Sequence, residues 1–250
     1  LILLDACRYD SFQEMNHLNG NLEYRISKAV DSPRFIEKNF VGRNLYDTVY
    51  VTANPHVDLL DNNTFHDIIA TPLSNWDESR QCVPPDEVTQ AGINAHHDFP
   101  NKRIIIHYMQ PHAHDIGPTG REYFPEFRVR SDLERVNASG EIDTEKLRAA
   151  YRENLELAIE EVASLLEELD GKTVVSADHG EMFGERHFPI PVRDYMHPHG
   201  IDNQVLTKVP WQILPTEERR RIVAEEPQEK QAEVDADTVE EHLKNLGYLQ

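Results

Sequence analysis

The sequence predicts one α/β domain built on a mostly parallel sheet covered by helices. Three observations lead there. Apolar runs alternate with stretches of helical periodicity along the chain. Two of the runs, Leu1-Ile2-Leu3-Leu4 and Thr173-Val174-Val175-Ser176-Ala177, lead into the acidic positions Asp5 and Asp178-His179-Gly180-Glu181. The second run is fed directly by the clearest helix in the chain, with Gly171 between them as a stop.

Taken in order, residues 1–5 read as the first strand. Ser32-Pro33, followed by Phe35, Ile36 and Phe40, reads as a short helix with Ser32 at the N-cap and Pro33 in the first turn. Thr48–Ala53 and Arg103–Met109 read as strands. From Asp143 to Leu169, the positions Leu147, Tyr151, Leu155, Ala158, Val162, Leu165 and Leu169 fall at helical spacing. Lys172–Ala177 is the strand that follows. Val209–Leu214 is a further strand, with Pro210 marking an edge or a strand start. The charged residues 217–233 are expected to be exposed or mobile. Val239, Leu243 and Leu246 suggest a last short helix before Gly247-Tyr248-Leu249. No repeat or linker divides the chain, so residues 1–250 read as a single domain. Residues 110–142 and 183–204 read as long loops, a length often tied to function.

The net charge is −20, Arg outnumbers Lys by about two to one, and the acidic residues are spread along the whole chain. That spread predicts a solvated acidic shell suited to high salt, hence a halophilic, archaeal source. The alternative is an ordinary acidic cytosolic protein. Such a field repels nucleic acid and anionic membranes, so neither is an expected partner. An anionic substrate would need metal ions or a local basic pocket. Two cysteines, Cys7 and Cys82, make no disulfide framework, which predicts a reduced, cytoplasmic setting. No stretch approaches the roughly 20 apolar residues of a membrane span. The chain opens inside a strand without an initiator Met, so its N-terminus is expected to be incomplete.

Three strand ends carry candidate ligands: Asp5, the segment His107 to Asp115, and Asp178-His179. In a parallel sheet they share the carboxyl edge, where ligands bind. Imidazole with carboxylate suits zinc or manganese, with calcium as the further candidate. Singly, Asp5 reads equally as an N-cap and His107 as a packed histidine; jointly they predict a metal site. Ser32 opens a helix, where free N–H groups and the dipole favour an anion, so it is either a candidate nucleophile or a plain cap.

The Asp5 and Asp178-His179-Gly180-Glu181 pairing, with Gly184-Glu185 beyond, resembles the sulfatase-like branch of the alkaline phosphatase superfamily. Leu3-Leu4-Asp5-Ala6-Cys7-Arg8-Tyr9-Asp10 is similar to the family's first element and Ser32-Pro33-Arg34 to its nucleophile segment. Ser176-Ala177-Asp178-His179-Gly180-Glu181 is similar to its late metal-binding element. Tyr108-Met109-Gln110-Pro111-His112-Ala113-His114, Met196-His197-Pro198-His199-Gly200 and Leu246-Gly247-Tyr248-Leu249 extend the resemblance over nearly the whole chain.

The resemblance implies an alkaline-phosphatase-like three-layer α/β/α sandwich and a metal-dependent hydrolase or transferase of phosphate or sulfate esters, glycan- or lipid-linked substrates included. It implies a covalent intermediate on Ser32, with Asp5, Asp178 and His179 holding one divalent ion. His112, His197 and His199 are the candidates for a second ion, and Arg34, His107, His112 and His114 for substrate contacts. His56, His96 and His97 have no motif around them and read as surface. Cys82-Val83-Pro84-Pro85-Asp86 lacks the Ser and Arg of the sulfatase Cys motif, and Cys7 sits beside Asp5. His179 stands where sulfatases generally have Asn, which favours phosphoester over sulfate ester chemistry. The alternative is a non-catalytic relative that binds a glycan or a protein.

Overall fold

Strand β1, Ile2–Asp5, is buried along its whole length because it runs through the middle of a sheet covered on both faces. The computed structural model describes residues 1–77, 82–112, 116–124, 143–186, 193–198, 200, 203–216, 219–227, 240 and 243. After β1 come α1 (Tyr9–Met15), β2 (Asn21–Ile26), α2 (Ser32–Asn39), β3 (Leu45–Thr52) and β4 (Phe65–Ile69). They are followed by α3 (Pro85–Asp98), β5 (Arg103–Pro111), α4 (Pro118–Tyr123), α5 (Thr144–Glu168) and β6 (Val174–Ala177). The described chain then forms β7 (Met182–Arg186), β8 (Arg193–Met196), α6 (Gln204–Thr207) and β9 (Lys208–Ile213). Short 3-10 turns occupy Pro55–Leu59 and Thr71–Asn75.

The main sheet has seven strands in the order β2-β9-β6-β1-β5-β3-β4, and β7 pairs with β8 in a separate antiparallel ribbon. β1 runs parallel to both β5 and β6, and β3 parallel to β4 and β5. β9 is antiparallel to both of its neighbours. The predicted mostly parallel sheet between helices is therefore what the chain forms. Strand alternation divides the core. Ile2, Leu4, Val51, Ile106, Tyr108 and Val175 belong to one apolar cluster with Phe12, Val88, Leu155 and Val162 from α1, α3 and α5. Leu3, Tyr50 and Ile105 join Ile36 of α2, Phe40 just past its end and Phe65 of β4 in the other.

Helix α5 follows its predicted spacing. Asp143 caps it by accepting from the N–H groups of Glu145 and Lys146 (3.1 and 3.2 Å). Leu147, Tyr151, Leu155, Ala158, Val162 and Leu165 are all buried, and the helix stops at Leu169. Other elements escaped the sequence reading. Strand β2 is largely exposed and has no clean alternation, and β4 is only five residues long. The segment 183–204, read as loop, holds most of the β7–β8 ribbon, and 110–142 holds α4.

Two expectations change. Strand β9 is interior, between β2 and β6, although Pro210 suggested an edge or start. Its pairing with β6 begins at Trp211, so the N–H that proline lacks is not needed there. Residues 219–227, read as exposed or mobile, are exposed or half-buried as expected but are also tied to the sheet's amino-terminal edge. Val223 N donates to Asn101 O (2.9 Å), Glu225 N to Tyr46 O (3.0 Å), and the buried Lys102 ammonium to Val223 O (3.0 Å) and Glu225 Oε2 (2.7 Å). Residues 217, 218 and 228–233 lie outside the described residues, as does most of the expected last helix, although Leu243 is buried against the α2 side.

Replacing Lys102 by Met should release this segment and leave the sheet intact. Trypsin is expected to cleave after Arg219, Arg220 or Arg221 several-fold faster than in the parent chain, with little change in thermal midpoint. Unchanged cleavage would show that the backbone bonds alone hold it.

Candidate active site

Register explains how distant residues converge. Leu4 is level with Ala177 on the neighbouring strand, so Asp5 and Asp178, one residue on, leave the sheet side by side. On the other flank of β1, Leu3 is level with His107, and His107 with Thr52. Alternation then puts Asp5, His107 and Asp178 on the face that α2 covers. Helix α2 supplies the fourth group. Ser32 was expected to be its N-cap, but Asp31 takes that position and accepts from Arg34 N (2.9 Å). The Ser32 hydroxyl is thereby available to the site. It donates to Asp178 Oδ2 (2.7 Å) or Asp5 Oδ2 (3.0 Å) and lies 3.3 Å from His179 Nε2.

Two buried atoms in this cluster make no hydrogen bond among the described residues and have only ion contacts: Asp5 Oδ1 lies 3.3 Å from His179 Nε2, and His107 Nε2 lies 3.7 Å from Asp178 Oδ2. Each is otherwise well held. Asp5 Oδ2 also accepts from Asn54 Nδ2 (2.9 Å), and His107 Nδ1 meets Tyr50 OH (2.8 Å), which fixes the imidazole. Asp178 Oδ1 accepts from the N–H groups of Ala6 (3.1 Å) and His179 (2.8 Å). Ligand atoms of Asp5, His107 and Asp178 all lie within 4.8 Å of one another. Leaving a buried polar atom unpaired is costly. Two carboxylates and an imidazole around one point therefore fit a divalent cation.

A second histidine group adjoins the first. His112 and His197 are buried with their Nε2 atoms 2.9 Å apart, and the His197 ring stands edge-on to His179 at 4.7 Å between centroids. The β7–β8 ribbon delivers His197 from Met196, whose φ of 60° is rare for a residue with a side chain. Ala6, directly after Asp5, has a φ of 58°. Tyr151 of α5 holds that turn: its hydroxyl donates to Ala6 O (2.8 Å) and accepts from Arg8 N (2.9 Å). Arg8 then binds Glu181 O (3.0 Å) and Glu185 Oε1 (2.6 Å), tying the β1 turn to the segment after Asp178. Gly180 is required there, since a Cβ would meet Val205 O at 2.1 Å.

The structure thus brings together Asp5, Ser32, His107, Asp178 and His179, and puts His112 and His197 beside them. Arg34 turns to Asp31 (3.0 Å) and is partly exposed. His114 and His199 lie outside the described residues. His97 is exposed as expected, but His56 and His96 are buried. His96 is near Arg220 (2.7 Å), away from the site. His56 lies just past the end of β3, and burial lowers its pKa to about 4. Tyr50, Asn54, Tyr151 and Arg8 were also missed. Asn54-Pro55-His56 follows a predicted strand as Asp5 does, so that signal was present; Tyr50 and Tyr151 look like core residues.

Burial works against both ions of the Asp178–His179 pair, yet their mutual attraction wins. Asp178 is pushed up by burial, but His179, His107 and the Ser32 hydroxyl hold it well below the usual carboxylate range. His179 is pulled down by burial, but Asp178 and Asp5 raise it from 6.5 to about 10. Without metal, the imidazolium is the cation of the site. A cavity of about 550 Å³, lined by Ile104, Ile106, Trp211 and Arg219, opens at the sheet's amino-terminal edge and holds none of these residues.

No protein-family model matches the sequence, and no curated protein matches it. Solved structures do. A candidate sulfatase from Bacteroides thetaiotaomicron is 13% identical with a TM-score of 0.55, the match covering 92% of this chain and 65% of that one. The chain therefore has that protein's α/β fold and spans 65% of its length. The C-terminal periplasmic domain of a phosphoethanolamine transferase from Escherichia coli, in complex with zinc, matches at 13% identity and a TM-score of 0.49, over 85% of this chain and 71% of that domain. The conclusion about the fold rests on the first of these.

Two outcomes follow for the site. Tyr151→Phe strands the buried Arg8 N–H and Ala6 carbonyl, and should cost about 1–3 kcal/mol in denaturant unfolding. In chelated protein, Asp178's contribution is present above about pH 4 and is lost as pH falls, because its native pKa is depressed. His179's is fully present below pH 6.5 and is lost as pH rises through about 10. Stability in chelator should therefore be highest between about pH 4 and 6.5 and fall on the alkaline side. Asp178→Asn should flatten that alkaline fall; an unchanged slope would contradict the pairing.

Proposed function

We propose that this chain is a metal-dependent hydrolase or transferase of phosphate or sulfate esters, of the sulfatase-like branch of the alkaline phosphatase superfamily. The observation that carries this reading is the Ser32 hydroxyl at the start of α2, held between two buried carboxylates. Asp5, Asp178 and His107 would hold a divalent ion, joined by His179 once it loses its proton. Such an ion would supply Lewis acidity, lowering the hydroxyl's pKa and neutralising the ester's charge.

The Ser32 hydroxyl, its pKa lowered by a bound ion, would lose its proton to solvent, and its Oγ would attack the phosphorus or sulfur in line. The Oγ–P bond forms as the ester P–O bond breaks. The departing oxygen takes a proton from solvent. Water then releases the group in a hydrolase, or an acceptor hydroxyl in a transferase. A hydroxyl nucleophile and His179 favour phosphoesters. The distributed charge of −20 supports a high-salt, haloarchaeal setting.

One observation favours a non-catalytic binding module instead: Ser32 is fully buried. Turnover decides between the two. In molar salt with zinc, manganese or calcium, aryl phosphate, phosphodiester and aryl sulfate should be tried in parallel, with a phosphoester turned over fastest. Ser32→Ala and Asp178→Asn should each lower kcat by ~10³-fold or more, with an unchanged circular dichroism spectrum. Full activity in Ser32→Ala would remove the nucleophile assignment.

A further inference from the structure

Strand β2 ends the seven-stranded sheet, and among the described residues nothing pairs with its outer edge. Tyr24 and Ile26 stand 52% and 61% exposed on it. Proteins that stay monomeric usually blunt such an edge. The backbone groups facing outward can be assigned. Pro210 lies opposite Tyr24 on β9 and has no N–H. Its carbonyl accepts from Ser176 Oγ of β6, on the far side of β9 (2.7 Å). The Tyr24–Pro210 pair is therefore of the non-hydrogen-bonded kind. Alternation turns the N–H and C=O groups of Leu22, Tyr24 and Ile26 away from β9, toward the open edge. Arg25 Nη1 accordingly reaches Tyr24 O (2.8 Å).

The edge reads Leu22-Glu23-Tyr24-Arg25-Ile26. Set antiparallel against itself about Tyr24, the segment is complementary at every position: Leu22 meets Ile26, Glu23 meets Arg25, and Tyr24 meets Tyr24. The three outward-facing residues are also those whose backbones would bond in that register. Glu23 and Arg25 already pair within the strand (2.8 Å), so two copies would gather four alternating charges on one face. On the other face Tyr9 packs edge-on to Tyr24 (5.9 Å), with the Lys208 ammonium over both rings at 4.2 and 4.6 Å. Shifting the centre to residue 23 or 25 would set Glu23 against Glu23 or Arg25 against Arg25, so charge selects the one register.

We infer that this chain forms a twofold-symmetric dimer in which β2 pairs antiparallel with β2 of a second copy, centred on Tyr24. The two sheets then run on as one. A charge of −20 on each copy opposes association at low ionic strength, while ~1 M salt shortens the screening length to roughly 3 Å and removes the long-range repulsion. The dimer is accordingly a high-salt species.

Sedimentation velocity in molar KCl over a range of protein concentrations tests this. The parent chain should sediment at twice its chain mass. Tyr24→Pro removes an outward N–H and no bond to β9, so it should yield a folded monomer. Arg25→Glu sets like charges opposite each other at two symmetry-related places and should raise the dimer dissociation constant about tenfold or more. The double swap Glu23→Arg with Arg25→Glu restores complementarity and should recover the dimer, which no loss of folding could mimic. A monomeric parent chain at every concentration would overturn the inference. So would a dimer indifferent to Tyr24→Pro, or a double swap no better than the single one.

Discussion

Two carboxylates, Asp5 and Asp178, are buried side by side where adjacent parallel strands leave the sheet. Like charges at that separation in a dry environment repel strongly, and the site is organised around that repulsion. Asn54, Ser32 and two backbone N–H groups donate to the pair, and the His179 cation stands against both. Even so, Asp5 Oδ1 and His107 Nε2 make no hydrogen bond among the described residues beyond their ion contacts with His179 and Asp178. A cluster that needs one more positive charge, with donor atoms already aimed at one point, is what a divalent ion would complete. The same deficit explains why the metal-free chain keeps a proton on His179 up to about pH 10.

Holding two repelling groups in register takes rigid turns. Ala6 is in a left-handed conformation that costs an L-residue about 1–2 kcal/mol, and it persists because its carbonyl and the next free N–H, that of Arg8, are both bonded to the Tyr151 hydroxyl. Helix α5 therefore does more than cover the sheet: one of its core positions locks the turn that aims Asp5. Arg8 carries the constraint across to Glu181 and Glu185, with its guanidinium 5.0 Å from the Phe183 ring. On the Asp178 side Gly180 permits the Val205 carbonyl to approach. Packing and site geometry are the same set of contacts here.

How far the sequence could be read follows from which signals are local. An apolar run ending on an acid is local, so Asp5 and Asp178-His179 were visible, as was α5 with its repeated spacing. The α2 helix was visible too, but not which residue capped it, because Asp31 and Ser32 are both good caps and only tertiary demand for the Ser32 hydroxyl separates them. Tyr50, Tyr151 and Asn54 were out of reach as site residues, since what distinguishes them is a partner 57, 145 and 49 residues away. His56 differs for the opposite reason: its strand-end position is legible, but the lack of a motif around it says nothing about its burial. The β7–β8 ribbon was missed because its strands are short and lie among Gly, Arg and Pro.

The charge of the whole chain and the charge of the site make opposite demands. A chain carrying −20 would repel an anionic ester at long range, and two of its carboxylates, Asp5 and Asp178, stand buried at the centre of the site. Neutralising one ester oxygen there by hydrogen bonds alone would set it against Asp5 and Asp178. Cations resolve both problems together. Salt screens the surface over a few ångströms, while an ion gripped by Asp5, His107 and Asp178 would invert the local field around the Ser32 hydroxyl. Arg34 is engaged by Asp31, and Arg8 by Glu181 and Glu185, so neither arginine is available for that task as placed. The electrostatics of the site therefore support the proposed metal-dependent ester chemistry, and they do not require the substrate to be a phosphate rather than a sulfate.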